Sequence, residues 1–274
     1  MGSRAIQISS TGSGKSLAMT NKAETAIKFH DVSFVLPGGR RLLANLNLQV
    51  DAGETLVLLG RSGSGKTTTM KLINRLIDPT SGRLEVEGKP TIEWDPIRLR
   101  RRIGYVIQEI GLFPHLTIEQ NIGVVPRLEG WEPQRIKQRA RELLNLVGLD
   151  ADSFASRFPR ELSGGQRQRV GVARALAADP PVILLDEPFG ALDPITRREI
   201  QREFKTLQQE LGKTMVFVTH DIAEAFVLAT RIALLKDGEL ILLGPPAELL
   251  ESNHPEARAF AECFHDGQSI GRPA

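Results

Sequence analysis

Eight consecutive residues, Gly60-Arg61-Ser62-Gly63-Ser64-Gly65-Lys66-Thr67, match the pattern G-x-x-x-x-G-K-[ST] in full. The chemistry this pattern serves is the cradling of nucleotide phosphates. Its glycines let the backbone curl so that successive N–H groups converge on anionic oxygens. A helix beginning at the lysine adds its own unpaired amides and the positive end of its dipole. Lys66 then reaches the β- and γ-phosphates and the Thr67 hydroxyl is a ligand for Mg²⁺, with Thr68 closing the cradle. A Gly/Ser-rich turn that happens to precede a lysine would also fit the letters. The flanks favour the cradle: Thr55-Leu56-Val57-Leu58-Leu59 is an apolar, strand-like run, and Thr68 to Ile77 carries apolar residues at helical spacing.

Three further groups carry chemistry. Val182-Ile183-Leu184-Leu185-Asp186-Glu187 is an apolar strand ending in two carboxylates. Asp186 at the strand's C-terminal edge is placed to hold Mg²⁺, and Glu187 to take a proton from an attacking water; an ordinary carboxylate pair at a strand end is the plainer alternative. Leu162-Ser163-Gly164-Gly165-Gln166 opens the helical run Arg167 to Leu176. Ser163, Gly164, Gly165 and Gln166 form either a second anion site or simply a helix N-cap, for which Ser163 is well suited. His220, in Phe217-Val218-Thr219-His220-Asp221, stands at another strand end. A look-alike, Ser10-Thr11-Gly12-Ser13-Gly14-Lys15-Ser16, lacks the first glycine, has no good strand before it and no long amphipathic helix after it, so it reads as part of a tail.

The elements that must position these groups are legible around them. Residues 1–24 are small, polar and aperiodic and read as a disordered tail. Ala26 to Phe29, Val32 to Leu36 and Leu46 to Val50, with the turn Pro37-Gly38-Gly39, alternate like half-buried antiparallel strands. Leu84 to Gly88 and Ile103 to Ile107 are further strands. The texture is helical over about 112–178, most clearly at Arg135 to Val147 before Gly148. Val182 to Leu185 and Met215 to Val218 are continuous apolar runs suited to a parallel sheet buried on both faces, with a helix from Arg197 to Leu211 between them. Glu248 to His265 reads as a helical tail, giving expected units 1–24, 25–247 and 248–274. The chain has 274 residues, a net charge of +2 and one cysteine. This near-balance gives no electrostatic footprint for nucleic acid, and the cluster Arg98, Arg100, Arg101, Arg102 reads as a solvated helix face. Cys263 alone makes no intrachain disulfide and fits a reducing compartment. Neither a signal-peptide h-region nor a membrane-length apolar run is present, so any membrane role is expected to come through a partner.

In order and spacing, the phosphate loop, Leu162–Gln166, the acidic strand end and His220 resemble the ATP-binding cassette (ABC) ATPases, over residues 27 to about 250. The resemblance implies an α/β fold of the P-loop NTPase type with an antiparallel β subdomain and a helical insert. It implies ATP and Mg²⁺ as cofactors, Gln108 as a glutamine linking metal and water to a membrane partner, and Ala191-Leu192-Asp193 as a loop at the nucleotide. By the same resemblance His220 contacts the γ-phosphate, the metal ligands are Thr67, Gln108 and Asp186, and two cassettes pair head to tail so that Ser163 to Gln166 of one cover the nucleotide of the other. Transmembrane permease subunits, and indirectly a solute-binding protein, are the implied partners, on the cytoplasmic face of the membrane. One departure stands out. Leu36 occupies the place where the family usually carries a base-stacking aromatic, and Phe34, two residues earlier, is either its substitute or core.

The stretches Thr67 to Leu76, Ile103 to His115 and Asp186 to Arg197 resemble the importers of glycine betaine, carnitine and choline in particular. An importer of amino acids or lipids is the alternative. A non-transport cassette ATPase would bring heptad insertions, zinc cysteines or a second cassette, and a P-loop kinase or GTPase would leave Leu162–Gln166 unexplained. Many members of the osmoprotectant group append a pair of regulatory domains; the sequence runs about thirty residues past Gly244-Pro245-Pro246, so such gating is not expected of it.

Overall fold

In a computed structural model, residues 24–108, 111–190 and 192–269 are described, the last five by their backbone alone. The expected tail up to residue 23, the Ser10–Ser16 look-alike and Ala191 lie outside them. The chain opens with the long strands β1 (Thr25–Val35) and β2 (Arg41–Asp51), followed by β3 (Thr55–Leu59), helix α1 (Lys66–Ile73), β4 (Ser81–Val86), the short β5 (Lys89–Pro90), α2 (Pro96–Arg102) and β6 (Ile103–Val106). A helical stretch comes next: α3 (Ile118–Ile122), α4 (Val124–Leu128), α5 (Pro133–Leu146), α6 (Ala151–Phe154) and α7 (Gly164–Leu176). Then β and α alternate: β7 (Val182–Asp186), α8 (Pro194–Leu211), β8 (Thr214–Thr219), α9 (Ile222–Leu228), β9 (Arg231–Lys236), β10 (Glu239–Gly244), α10 (Pro246–Glu251) and α11 (Pro255–Ser269).

Two sheets result. One is antiparallel, in the order β2-β1-β4-β5; the other runs β10-β9-β3-β8-β7-β6 and is parallel except at its β10 edge. The central strands β3, β7 and β8 are buried along their whole length. Because side chains alternate faces along a strand, each of the three feeds two cores. Leu56, Leu58, Leu184 and Val218 pack toward the antiparallel sheet with Phe29, Leu43 and Leu46. Val57, Leu59, Leu185 and Phe217 pack toward the helices with Ile122, Leu144 and Val170. Helix α5 turns Ile136, Ala140, Leu143 and Leu144 inward and is followed by Gly148 at φ +72°, a left-handed position that glycine adopts freely.

One expectation needs correction. Arg100, Arg101 and Arg102 of α2 are not merely solvated: they donate to the Arg75 carbonyl, the Leu128 carbonyl and the Glu87 carboxylate, tying the helix to three other segments. The C-terminal stretch, expected as a helical unit from 248, forms two helices parted before Pro255. Helix α10 spans residue 248, and Leu249 and Ala257 are buried in the main core. Strand β9 lies beside β3 and β10 lies beyond it at the sheet edge; no sequence signal above points to either. Among the described residues no helix is long and apolar enough to cross a membrane.

Candidate functional site

The parallel strands deliver the chemistry to one edge. The phosphate loop follows β3, Gln108 lies just past β6, Asp186 ends β7 and His220 follows β8, so all four leave C-terminal strand ends. In the loop, Gly65 has φ +106°, and a Cβ there would stand 2.6 Å from Leu43 Cδ2 and 3.0 Å from the Leu42 carbonyl. Only glycine lets the loop pass β2 this closely. Gly65 precedes α1 and supplies no side-chain cap, so the first amides of that helix have no side-chain partner and can take an anion. Lys66, 5% exposed, donates through Nζ to the Gly60 carbonyl at 2.6 Å and the Arg61 carbonyl at 2.9 Å. Burial holds its ammonium below the ordinary lysine range, and the nearby Glu187 and Asp186 carboxylates offset part of that shift.

The carboxylates face the loop. Thr67 Oγ1 donates to Asp186 Oδ1 at 3.3 Å. Burial, with Glu187 next along the chain, raises the Asp186 carboxyl above its usual range against the opposing Thr67 hydrogen bond and the charges of Lys71 and Lys66. Tyr105 of β6, pushed up to about 12 by burial and by the same Asp186 charge, stands beside it. Glu187 is the meeting point of the expected catalytic groups: its Oε2 accepts from Gln108 Nε2 at 3.5 Å and lies 3.3 Å from His220 Nδ1. Its backbone occupies the left-handed region at φ +44°, held by its own N–H donating to the Val218 carbonyl at 3.0 Å and by Gly190 N–H donating to its carbonyl at 3.1 Å. Behind this turn, Phe189 packs against Phe204 and Phe217 with ring centroids 5.9 and 5.6 Å away.

His220 is itself supported from below. The Thr219 hydroxyl donates to Glu224 Oε2 at 2.6 Å, Gln201 Nε2 donates to Glu224 Oε1 at 2.9 Å, and Asp221 N–H donates to Thr219 Oγ1 at 2.9 Å. Burial raises the Glu224 carboxyl above its ordinary range. This buried carboxylate joins helix α8 to the strand end that carries the histidine.

The phosphate loop and the groups that meet at Glu187 line a cavity of about 800 Å³ together with Leu36, Arg40, Leu42 and Phe260. Gly60, Arg61, Ser62, Gly63, Gly65, Lys66, Thr67 and Thr68 are in its wall, with Gln108, Glu187 and His220. Ser64 is buried beneath the loop. Phe34 packs against the core at the antiparallel sheet and does not line the cavity, whereas Leu36 does. The other expected binding residues form a separate cluster. Ser163 caps α7, its Oγ accepting from Gln166 N–H while Gln166 Oε1 accepts from Ser163 N–H. Asp193 caps α8 by accepting from the amides of Ile195 and Thr196; the Thr196 side chain first, and then these amides, hold its carboxyl below the usual range. The two capped ends touch, since a Cβ on Gly165 would meet Ile200 and Thr196 side chains at 3.2 Å. Ser163, Gly164, Gly165, Gln166 and Asp193 are thus brought to one another and not to the cradle of their own chain. Sequence reasoning missed Arg40, Leu42, Phe260 and Glu224, none of which belongs to a motif; the apolar spacing of the C-terminal helix was the only signal pointing near Phe260.

Fold and site together define a nucleotide-binding cassette of the phosphate-loop type. The model of the ABC transporter family matches residues 43–190, and the chain belongs to that family. It is 55% identical over 238 residues to the glycine betaine/carnitine/choline transport ATP-binding protein OpuCA of Bacillus subtilis, covering 87% of this chain and 62% of that protein. It is 57% identical over 219 residues to the osmoprotectant import ATP-binding protein OsmV of Salmonella typhimurium, covering 79% and 57%. With the glycine betaine uptake system ATP-binding protein YehX of Escherichia coli it shares 49% over 224 residues, covering 82% and 72%. The chain thus spans about three fifths of the length of OpuCA and OsmV. Among solved structures, the ATP-binding cassette MJ0796, a dimer in a post-hydrolysis state bound to ADP and Pi, is 38% identical with a TM-score of 0.72, covering 80% of this chain and 98% of that one.

Proposed function

We propose that this chain is the ATP-binding and ATP-hydrolysing subunit of an importer for quaternary amine osmoprotectants such as glycine betaine, choline or carnitine. The observation that carries the reading is the convergence of Gln108 and His220 on Glu187 Oε2 at the mouth of the Lys66 cradle. In this reading the loop amides and Lys66 bind the β- and γ-phosphates. Lys66 exchanges its carbonyl partners for phosphate oxygens, which suit an ammonium held below its ordinary range. Glu187 takes a proton from water as the water oxygen bonds to the γ-phosphorus, and the bridge to the β-phosphate breaks to leave ADP and phosphate. Gln108 orients that water. His220 presents its ring toward the γ-phosphate, where negative charge must be met by a positioned donor.

The Thr67 hydroxyl, the Asp186 carboxylate and the Gln108 amide oxygen are the hard oxygen donors that Mg²⁺ prefers, and a buried carboxyl raised above its usual range gains from a cation beside it. When bound, the ion would neutralise charge on the phosphates. Two copies of the chain pair head to tail, so that Ser163 to Gln166 and Asp193 of one meet the nucleotide of the other; that they do not line the cavity of their own chain supports this. The helical segment over about 112–178 acts as a subdomain within 25–247 and passes the motion to permease subunits at the cytoplasmic face of the membrane. A solute-binding protein delivers the cargo from the other side. The relatives named for glycine betaine, carnitine and choline transport, and one named for osmoprotectant import, support the cargo class.

The test is uptake of radiolabelled glycine betaine, choline and carnitine into vesicles holding the subunit with its membrane and binding proteins. ATP-dependent uptake lost in Glu187→Gln is the expected result. Intact ATP hydrolysis without uptake of any of the three would discard the cargo assignment and keep the motor.

A further inference from the structure

A nucleotide seated in the cradle leaves its base beyond the phosphate loop, where a flat apolar face is needed to receive it. Apart from the loop and the catalytic side chains, the cavity is walled by Leu36, Arg40, Leu42 and Phe260. Of these four, Phe260 alone offers a ring. It belongs to α11, and that helix is fixed on both sides of it. One turn earlier, the buried Glu256 accepts from Arg61 Nε of the phosphate loop at 2.6 Å and lies 3.8 Å from Lys236 Nζ. One turn later, Phe264 stacks on Phe226 of α9, with centroids 4.3 Å apart and planes at 21°. Residues at i, i+4 and i+8 share one helix stripe, so the contacts at Glu256 and Phe264 set the direction in which Phe260 points. Ala257 and Ala261, both buried, seat the helix beneath it. Phe260 itself is half-buried, packed on the core at one side and facing the cavity at the other.

We propose that Phe260 is the aromatic face on which the nucleotide's base rests, with Leu36 as a second apolar wall, and that α11 is thereby part of the nucleotide site. This rests on the nucleotide reading of the cradle. It accounts for an aliphatic residue at position 36 and gives the Arg61–Glu256 contact a purpose, since the loop that holds the phosphates and the helix that holds the base are fastened to each other.

Calorimetric titration of the full chain with ATP and, separately, with inorganic tripolyphosphate tests the idea, because the second probe has the phosphates and no base. Phe260→Ala should weaken ATP binding about tenfold, in line with the loss of one base–aromatic stack, and leave tripolyphosphate unchanged. Phe260→Trp should keep ATP affinity. Phe260→Leu, which keeps an apolar side chain against the core, should unfold near the wild-type temperature and lose ATP affinity as alanine does. ATP affinity within twofold of wild type in Phe260→Ala and Phe260→Leu would overturn the proposal. Equal losses for the two probes would also overturn it, by making α11 a prop for the phosphate loop. A cradle that does not bind phosphates at all is distinguished by Lys66→Ala: unchanged tripolyphosphate binding in that variant refutes the underlying reading, and the base site with it.

Discussion

Glu187 combines an unfavourable backbone with the most connected carboxylate of the site. A non-glycine residue in the left-handed region costs on the order of 1–3 kcal/mol and persists only where its surroundings impose it. Here the Val218 carbonyl and Gly190 amide impose it, and the gain is a carboxylate aimed where Gln108 and His220 meet. Glu187→Gln should retain ATP affinity while phosphate release falls by about 10²–10⁴-fold, the range for a lost general base; turnover near wild type would remove Glu187 from that role. Asp186 poses the opposite problem. Its folded-state value lies above the ordinary one, so the ionised group destabilises the fold at neutral pH, and the penalty fades as pH falls through the folded value toward the ordinary one. Asp186→Asn should therefore raise the unfolding temperature of the nucleotide-free protein near neutrality, by about 2–4 °C per kcal/mol relieved, with the difference closing in acid. The same variant should lose the Mg²⁺-dependent part of ATP affinity. A Tm equal to or below wild type at pH 7 would contradict this account.

At the level of elements, the contrast between the helix ends is informative. Helices α7 and α8 spend a serine and an aspartate on their own amides, while α1 begins at a glycine that offers none. Gly65→Ala should abolish nucleotide binding with the strands intact, because its Cβ would collide with β2; affinity within threefold of wild type would disprove the steric argument. Phe189→Ala should destabilise the protein by about 3–5 kcal/mol in denaturant titration, as large-to-small core changes do, and lower turnover further by loosening the turn that carries Glu187. How far this was readable from sequence follows the range of each signal. Strands β3, β7 and β8 announce themselves as unbroken apolar runs, and α5 and α8 by period and by the glycines that follow them. The Arg61–Glu256 contact joins residues 195 apart and has no periodicity to betray it. The division of Leu162–Gln166 and Asp193 from the cradle is likewise a matter of topology, since both caps look the same in sequence whichever nucleotide they face.

On the scale of the whole molecule, a chain whose capped cluster does not reach its own cradle should hydrolyse ATP only in pairs. The specific activity should rise with protein concentration and then saturate, and Glu187→Gln with ATP should elute as a dimer in size-exclusion chromatography. A concentration-independent rate, with a monomer under both conditions, would rule out the paired site. The sheet order has a further consequence, in the time the molecule takes to be made. Strand β3, which launches the phosphate loop, is flanked by β8 and β9, whose contacts reach back across 161 residues from Thr214 to Gly53 and 175 from Thr230 to Thr55. At about 5–20 residues per second, a ribosome leaves this strand, wholly buried in the finished fold, without either neighbour for roughly ten to thirty seconds. The cradle is thus synthesised well before the strands that complete it, and synonymous changes that slow translation between the two halves should show first as aggregation of nascent chains.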